Sequence, residues 1–600
     1  MIKSLPTLFA VAVFSLTLTT AFLAETDRPF WRTVVMGTHG MVAAEHPLEA
    51  MAALKILQDG GNAIDAAVAA FYVTTVVEHH QAGIGGDGFI LAYLADQQKV
   101  IFINGTGTAP KLATRETYVE LGGIPSAGPY STDVPGAVSG FDLALKKYGT
   151  KNYEELLQPA IEAASQGHPL TFWAAGNHEE YLDKISPYPS SVRTLLKKGQ
   201  PFNPGDIFIQ PDLGKTLSTI AREGADVFYR GSLARLTASF YEKQGGLLRF
   251  DDLASFEADE TEPIKTIYRE YEVYQSAPNS QGIVMLIALN ILEEFDLKNL
   301  GHNSPNYLHV VTETLKLAFA DRDEYIGDPN FVSNMPIEGL LSQKYAKSRR
   351  SLIRMDQAIQ GVAPPGDPRR IEPILHGRRI LYETSPSTVR IASGNNNDTG
   401  ETSSFSIADK FGNLVSVTHS VNGGFGSGMV VEGGGYVLNN RMPYFSLNED
   451  NVNVLVPGKR TRHTINPALA LKNGKPFLAW NTPGGDNQPQ AMLQAFLNCV
   501  EFDMNVQQAV EAPTITSSSF YASNYPQPAG EILTIPRVLA NLVASDLTTK
   551  GHQIQVEELQ QPYRQTASGA GAVKMVMIDP ETGVMMAGVS PAKDDYAIGW

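Results

Sequence analysis

The sequence has a single cysteine, no basic stretch, and no long apolar run beyond its first residues. One thiol, Cys499, excludes an internal disulfide and any metal site built from several cysteines, and its apolar surroundings predict a buried structural residue. A formal net charge of -16, together with the lack of a basic stretch, argues against binding to nucleic acid. With 600 residues, 43% of them hydrophobic, the chain is long enough to bury a large core.

The first residues are typical of an export signal. Lys3 precedes an apolar stretch over residues 5–23, and small residues at its end provide a cleavage site before Glu25. We therefore expect residues 1–24 to be removed and the mature protein to be periplasmic or secreted. An uncleaved membrane anchor is the alternative, because the stretch is nearly long enough to span a bilayer. No later segment is apolar enough to do so.

The remainder divides into blocks of helices and strands. Residues 133–354 have mostly helical patterns, strands and turns dominate residues 402–457, and helices return at residues 488–500, 506–511 and 536–550. Such blocks favour layered sheets flanked by helices. Residues 355–401 are rich in Pro, Gly, Arg and Asn and are predicted to form an exposed connector.

A glycine-rich stretch at residues 83–89 has the spacing of a dinucleotide-binding motif. It follows a helical pattern and precedes a strand, which is the reverse of the order that a phosphate-binding turn needs. We expect these glycines to permit close approach of backbones in a packed corner instead.

The end of the connector meets a strand whose first residues include a hydroxyl. Residues 404–408 alternate apolar and polar side chains, residues 409–413 turn, and residues 414–418 run back, which predicts a hairpin in a packed sheet. If the chain were cut between Glu401 and Thr402, Thr402 would carry a free amine beside its hydroxyl. An amine with a pKa near ~7.7 can act as general base for that oxygen. An ordinary loop-to-strand junction is the alternative interpretation.

Three further segments after Thr402 carry candidate functional groups. Ser420 and Asn422 continue from the return strand of the hairpin. Arg441 and Tyr444 lie on one short loop. Consecutive glycines at residues 484 and 485 precede a helix and can point two backbone N–H groups at a developing oxyanion.

In their joint order these segments resemble the γ-glutamyltransferase family of N-terminal-nucleophile hydrolases. The resemblance runs from about Met41 to Trp600. Its motifs are Gly60-Gly61-Asn62-Ala63, Val134-Pro135-Gly136, Gln210-Pro211-Asp212-Leu213, Ala320-Asp321-Arg322, Glu401-Thr402 and Pro483-Gly484-Gly485.

The resemblance implies a four-layer αββα sandwich and a proenzyme that cuts itself into a large subunit (25–401) and a small subunit (402–600). It implies Thr402 as the nucleophile and the N–H groups of Gly484 and Gly485 as the oxyanion site. Ser420 stands at the place of the family's second threonine, and Asn422 matches the family's substrate-binding asparagine. No cofactor and no metal is expected.

The family's recognition of the γ-glutamyl group is not retained. Members of the family that hydrolyse glutathione have an Arg that binds the α-carboxylate, and Thr106 stands at that position here. Tyr444 stands at the position of the family's Asp that pairs with the α-amino group. A hydroxyl cannot replace a bidentate guanidinium. His463 and Thr464 replace two Ser residues of the substrate loop. The connection between residues 444 and 459 is shorter than in family members that have a lid over the pocket, so the resemblance implies an open cleft.

This pattern resembles the acylase and amidohydrolase branches of the family, which remove glutaryl-type or small dicarboxylic acyl groups from amines. Arg441, Arg460 and Arg462 are candidate cations for a distal carboxylate, and Arg441 ranks first because it lies on the substrate loop. The expected partners are a small amide and water or an amine acceptor. A conventional γ-glutamyltransferase and a non-catalytic exported binding protein remain the alternatives.

Overall fold

The hairpin that begins at the predicted cut lies in the middle of a sheet. The computed structural model describes residues 32–382, 390–391, 401–557 and 571–600; the predicted signal at residues 1–24 lies outside them. Their strands are β1 Val35–Gly37, β2 Gly40–Ala44, β3 Asp87–Leu94, β4 Lys99–Gly105, β5 His168–Pro169, β6 Ile207–Phe208, β7 Asp259–Thr261, β8 Ile264–Tyr268, β9 Tyr271–Gln275, β10 Arg390–Ile391, β11 Glu401–Asp409, β12 Leu414–Asn422, β13 Ala468–Lys472, β14 Lys475–Asn481, β15 Thr516–Ser517, β16 Ile532–Pro536, β17 Gln553–Glu557, β18 Lys574–Ile578, β19 Met585–Val589 and β20 Tyr596–Gly599.

Helices supply most of the rest. The α-helices are α1 Pro47–Gln58, α2 Ala63–Val77, α3 Arg115–Glu120, α4 Ala137–Tyr148, α5 Tyr153–Gln166, α6 Phe172–Glu180, α7 Leu182–Ile185, α8 Pro189–Leu195, α9 Pro211–Glu223, α10 Asp226–Tyr229, α11 Ser232–Lys243, α12 Phe250–Ala254, α13 Ile283–Leu292, α14 Leu297–Leu300, α15 Pro305–Tyr325, α16 Ile337–Leu340, α17 Gln343–Arg350, α18 Gln488–Val500, α19 Val506–Glu511 and α20 Arg537–Thr549. In the part of the chain so described, none of them combines the length and the apolar character that crossing a membrane requires.

Two antiparallel seven-stranded sheets form the centre. One has the order β20-β2-β11-β12-β3-β4-β7, and the other β1-β19-β18-β14-β13-β9-β8. Apolar side chains of β2, β3, β4, β13, β14, β18 and β19 meet between them in one core cluster. Helices α1, α2, α4 and α5 cover the outer face of the first sheet, and α13, α15 and α18 that of the second. The predicted αββα sandwich is therefore confirmed.

Local sequence signals explain the elements around the hairpin. The Asn62 side chain accepts hydrogen bonds from Ile64 and Asp65 and starts α2, as expected from its capping position. At the hairpin turn, the Asp409 carboxylate accepts from the Phe411 and Asn413 backbones, and its other oxygen accepts from the Ala63 backbone. One carboxylate thus closes the hairpin and fixes the first turn of α2 against it.

The prediction of an exposed connector is wrong for residues 363–368, whereas residues 355–356, 369–370 and 376–379 are exposed. Residues 363–368, which have the Pro- and Gly-rich composition on which the prediction rested, are buried. Arg349 donates to the Pro364 carbonyl, the Gly366 backbone donates to Asp321, and Tyr325 donates to the Gly366 carbonyl. Composition indicated irregular backbone correctly, but its polar groups are satisfied inside the protein rather than by water.

Candidate functional site

Thr402 lies at an irregularity in the pairing of β11 and β12. Glu401 pairs with Asn422, whereas Ser403 pairs with His419, so two residues of β12 stand opposite Thr402. One of them is Ser420. Bulges of this kind redirect side chains and are frequent beside active sites. The bulge therefore brings Ser420 next to the predicted cleavage point.

The peptide bond between Glu401 and Thr402 has a hydrogen-bond donor at its carbonyl. The Ser420 hydroxyl donates to the Glu401 carbonyl oxygen over 2.6 Å, and the same Oγ accepts from the Asn422 backbone N–H over 2.7 Å. Because a carbonyl can only accept, the direction of the first bond is fixed. Thr402, Ser420 and Asn422 are each at most 3% exposed, so in the uncut chain this junction is shielded from water.

Close backbone packing holds the junction in place. A Cβ on Gly86 would lie 2.5 Å from the Ser420 carbonyl oxygen, and one on Gly85 would lie 2.1 Å from the Val437 carbonyl oxygen. A side chain at Gly86 would displace the strand end that carries Ser420, and one at Gly85 would displace the backbone at Val437 and Leu438. The glycine-rich stretch therefore serves the close packing that was expected of it.

Asn422 connects the hairpin to the loop that carries Arg441. Its φ is +82°, its amide nitrogen donates to the Asn440 carbonyl over 2.8 Å, and its amide oxygen accepts from Arg441 Nη1 over 3.3 Å. Asn tolerates positive φ better than most residues because its short side chain can bond locally. The predicted substrate-binding residues Asn422 and Arg441 are thus in contact.

Arg441 is fully buried and paired with Asp87. Its Nε lies 3.3 Å from Asp87 Oδ2, while Nη2 has no hydrogen-bond partner among the described residues. Burial raises the pKa of Asp87 to about 6, against the lowering effects of Arg441 and of the Gly107 backbone donor. Nη2 of the buried guanidinium thus has two N–H donors that these contacts leave unused.

Tyr444, His463 and Thr464 lie beside this ion pair. The Tyr444 hydroxyl is 2.8 Å from Thr464 Oγ1, and the Arg441 guanidinium lies over the Tyr444 ring at 5.2 Å from its centroid. The His463 ring is perpendicular to the Tyr444 ring and lies 3.7 Å from Asp87, and within the part of the chain that the structure describes neither of its nitrogens has a hydrogen-bond partner. Burial and the nearby arginines lower the pKa of His463 well below its ordinary value, so the ring is neutral.

The glycine pair lies on a turn between β14 and α18. Gly484 and Gly485 have φ values of +116° and +54°, a conformation that L side chains rarely adopt. Gln281 donates to the Gly485 carbonyl over 3.0 Å, and Arg322 is paired with Asp486 at 2.5 Å. These contacts fix the turn, and the orientation of its N–H groups toward Thr402 remains a prediction.

The three candidate arginines are not free cations, contrary to the expectation. Arg441 is held by Asp87, Arg460 by Asp259 at 2.5 Å, and Arg462 by Asp323 at 3.1 Å. Arg460 is buried beside a separate cavity of about 470 Å³ and donates to the Thr106 carbonyl. Sequence could not reveal these pairs, whose members are 139 to 354 residues apart.

The partners of these arginines include a residue that sequence reasoning missed. Asp87 lies in the glycine-rich stretch, which we expected to serve close packing only. The signal that could have indicated a functional residue there was an acidic side chain among glycines. Thr106, which stands at the place of the family's clamp Arg, is buried and donates its hydroxyl to Asn104 over 2.6 Å. Neither residue offers a positive charge to a substrate carboxylate.

Two groups of side chains in the described residues are close enough to hold a metal ion. One consists of Asp87, Asp133 and His463, the other of His309, Glu313 and His552. In each, a protein cation already stands beside a carboxylate, namely Arg441 beside Asp87 and the Lys316 ammonium 2.7 Å from Glu313. These positive charges would compete with a metal ion for the same carboxylates, which disfavours metal binding at both groups.

Comparison with known proteins places this geometry in a family. The sequence model described as Gamma-glutamyltranspeptidase matches residues 50–600. The chain is 32% identical to the glutathione hydrolase-like YwrD proenzyme of Bacillus subtilis (strain 168), over 94% of this chain and 99% of that protein. It is 34% identical to the acylase ACY 1 proenzyme of Pseudomonas sp. (strain SE83), over 86% and 88%.

A solved structure agrees over nearly the whole length. The crystal structure of cephalosporin acylase from Bacillus halodurans matches with a TM-score of 0.84 and 33% identity, covering 96% of this chain and 98% of that one. The fold is thus that of the N-terminal-nucleophile hydrolases. Within that class, the chain belongs to the γ-glutamyltranspeptidase family, whose members here are glutathione hydrolase and acylase proenzymes.

Proposed function

We propose that this protein is a self-cleaving amide hydrolase or acyltransferase whose nucleophile is the new N-terminal Thr402. The observation that carries the proposal is the contact at the junction, where the Ser420 hydroxyl donates to the carbonyl of the residue that precedes Thr402. A donor at that oxygen stabilises the negative charge that develops when the carbonyl is attacked. Membership of a family of proenzymes supports it.

Maturation begins with attack of the Thr402 hydroxyl oxygen on the Glu401 carbonyl carbon. The C–N bond breaks, the nitrogen takes up a proton, and an ester joins Glu401 to the Thr402 side chain. Water then hydrolyses the ester, which leaves a carboxylate on Glu401 and a free amine on Thr402. The products are a large subunit of residues 25–401, after removal of residues 1–24 during export, and a small subunit of residues 402–600.

Turnover uses the same hydroxyl on an external amide. The Thr402 amine accepts the hydroxyl proton, the oxygen attacks the substrate carbonyl, and the N–H groups of Gly484 and Gly485 receive the oxyanion. The leaving amine departs with a proton, and the acyl group stays on Thr402 as an ester. Water or an acceptor amine then releases it. Asn422 orients the acyl chain toward the loop of Arg441.

The acyl group is proposed to end in a carboxylate and to lack an α-amino group. Tyr444 has no negative charge for an ammonium, and Thr106 has no positive charge for an α-carboxylate. Each missing charge-assisted bond is worth about 1.5–3 kcal/mol, so together they lower discrimination for γ-glutamyl groups by orders of magnitude. The unfilled Nη2 of Arg441 supports binding of a single distal carboxylate, as in glutaryl amides. The likeness to a cephalosporin acylase is consistent with this class.

Hydrolysis of paired substrates tests this assignment. We expect glutaryl p-nitroanilide to be cleaved with a higher kcat/KM than γ-glutamyl p-nitroanilide, and a strong preference for the glutamyl compound would favour the glutathione hydrolase alternative that several relatives represent. Denaturing electrophoresis separates both from a binding protein: wild type should give two bands, and Thr402→Ala a single uncut band. Wild type that stays uncut would refute the enzyme proposal.

A further inference from the structure

We propose that Lys593 is a positioning residue for the cleavage before Thr402, and that it acts by holding the side chain of Glu401. The inference rests on the proposed self-cleavage and goes beyond it, because nothing in that mechanism requires a particular residue at position 401. Lys593 would give Glu401, the residue whose carbonyl is attacked, a second contact that holds it in place. Lys593 lies near the end of the chain, between β19 and β20.

The contact joins two buried side chains. The Lys593 ammonium lies 3.7 Å from Glu401 Oε2, and the two side chains are only 5% and 13% exposed. Burial raises the pKa of Glu401, while Lys593 opposes this effect by favouring the carboxylate. At this depth an ion pair is weakly screened by salt, so the attraction acts on the geometry of the junction.

Lys593 is itself fixed by several elements. Its ammonium lies 2.9 Å from Glu45 Oε1 at the start of α1 and donates to Gln81 Oε1 over 2.8 Å, and it lies 5.1 Å from the centroid of the Trp173 ring in α6. Glu45 is held in turn by Lys574, 3.0 Å away. A cation with so many partners on separate elements has little freedom to move.

The scissile peptide group is consequently held from two directions. Ser420 holds the carbonyl oxygen of Glu401, and Lys593 holds the side chain of the same residue. With the Ser420 contact alone, Glu401 could still rotate about its backbone bonds. With the Lys593 contact as well, the face of the Glu401 carbonyl that the Thr402 hydroxyl attacks is fixed. A misplacement of about 1 Å in such a geometry can cost about a hundredfold in rate. Loss of the Lys593 contact should therefore slow cleavage without touching a reacting atom.

A double-mutant cycle separates this role from a general structural one. Precursors with Lys593→Met, Glu401→Gln, both changes or neither are made in a cell-free reaction, and decay of the uncut band is followed by denaturing electrophoresis. We expect each single change to slow cleavage roughly tenfold to a hundredfold and the double variant to be no slower than the slower single variant. Lys593→Arg should restore the rate to within about threefold, because it keeps a cation in reach.

Controls keep the outcome decisive. Lys146→Met removes an exposed lysine that pairs with Asp142, and this variant should be cleaved at the wild-type rate. Circular dichroism and melting are recorded in a Thr402→Ala background, where no cleavage confuses the reading. If Lys593→Met does not fold, Glu401→Gln decides alone, because it keeps the size of the side chain and removes the charge that Lys593 holds. Cleavage of Glu401→Gln at the wild-type rate would overturn the role of Lys593 and leave the proposed function intact. The same holds if the double variant is slowed by the product of the two single effects. A wild-type precursor that stays uncut would overturn both proposals.

Discussion

Removing the Ser420 hydroxyl is the sharpest test of the junction geometry. In Ser420→Ala the Glu401 carbonyl loses its donor at 2.6 Å. Loss of one such donor in other enzymes lowers the rate about 10²- to 10³-fold, or about 2.7–4 kcal/mol of transition-state stabilisation. We therefore expect the half-time of cleavage to lengthen at least about a hundredfold.

The same change has a smaller structural consequence that must be separated from the chemical one. The Asn422 backbone N–H loses its acceptor on Ser420, and a buried unsatisfied donor costs about 1–3 kcal/mol of stability. Melting of the uncut form in a Thr402→Ala background measures this cost by itself. A modest fall in Tm with the fold retained would show that slow cleavage does not arise from unfolding.

Ser420→Thr is the matched control for the assay. It keeps a hydroxyl on the same carbon, so the precursor should be cut within about tenfold of the wild-type rate, as followed by intact mass at fixed pH. The reasoning fails if Ser420→Ala is cut as fast as wild type. It also fails if Ser420→Thr is as slow as Ser420→Ala, because the hydroxyl would then not be the active group.

Three further changes test the pocket and the core. Arg441→Lys keeps the charge and loses the planar fork, so kcat/KM should fall more for glutaryl than for acetyl p-nitroanilide in steady-state assays. Tyr444→Asp supplies a negative charge for an α-ammonium and should shift the ratio of γ-glutamyl to glutaryl hydrolysis upward by about tenfold; an unchanged ratio would place the α-amino group elsewhere. Burial raises the pKa of Glu49 to about 8, so its contribution to stability is present at acid pH and is lost as the pH rises toward 8. Glu49→Gln keeps a backbone acceptor at the start of α1 and should flatten the decline of the urea midpoint between pH 5 and 8, and a decline of unchanged slope would contradict the assignment.

The elements that sequence predicted well have short-range causes. The helices expected at residues 488–500 and 506–511 begin at Gln488 and Val506, and the second begins there because the Asn505 side chain caps its first turn. The hairpin was predicted from the alternation of apolar and polar side chains and from the turn that begins at Asp409. Strands β11 and β12 are longer than the alternating residues alone indicated.

The parts that sequence did not predict depend on contacts between distant residues. Asp87 meets Arg441 across 354 residues, and Lys593 meets Glu45 across 548, so no local pattern announces either pair. The burial of residues 363–368 likewise depends on Asp321 and Arg349, which accept and supply their hydrogen bonds. Local composition predicts the backbone conformation of a segment. Whether the segment is buried or exposed depends on its hydrogen-bond partners elsewhere in the chain.

The position of β11 between β2 and β12 determines what a cut at residue 401 would leave behind. Strands from both sides of the cut are interleaved in each sheet: β1 to β4 and β7 to β9 precede the cut, and β11 to β14 and β18 to β20 follow it. Two polypeptides interleaved in this way cannot part without opening both sheets and wetting the core between them. Severing the backbone would therefore create a new chain end while leaving a single cooperative body, and the fragments should melt together as one unit.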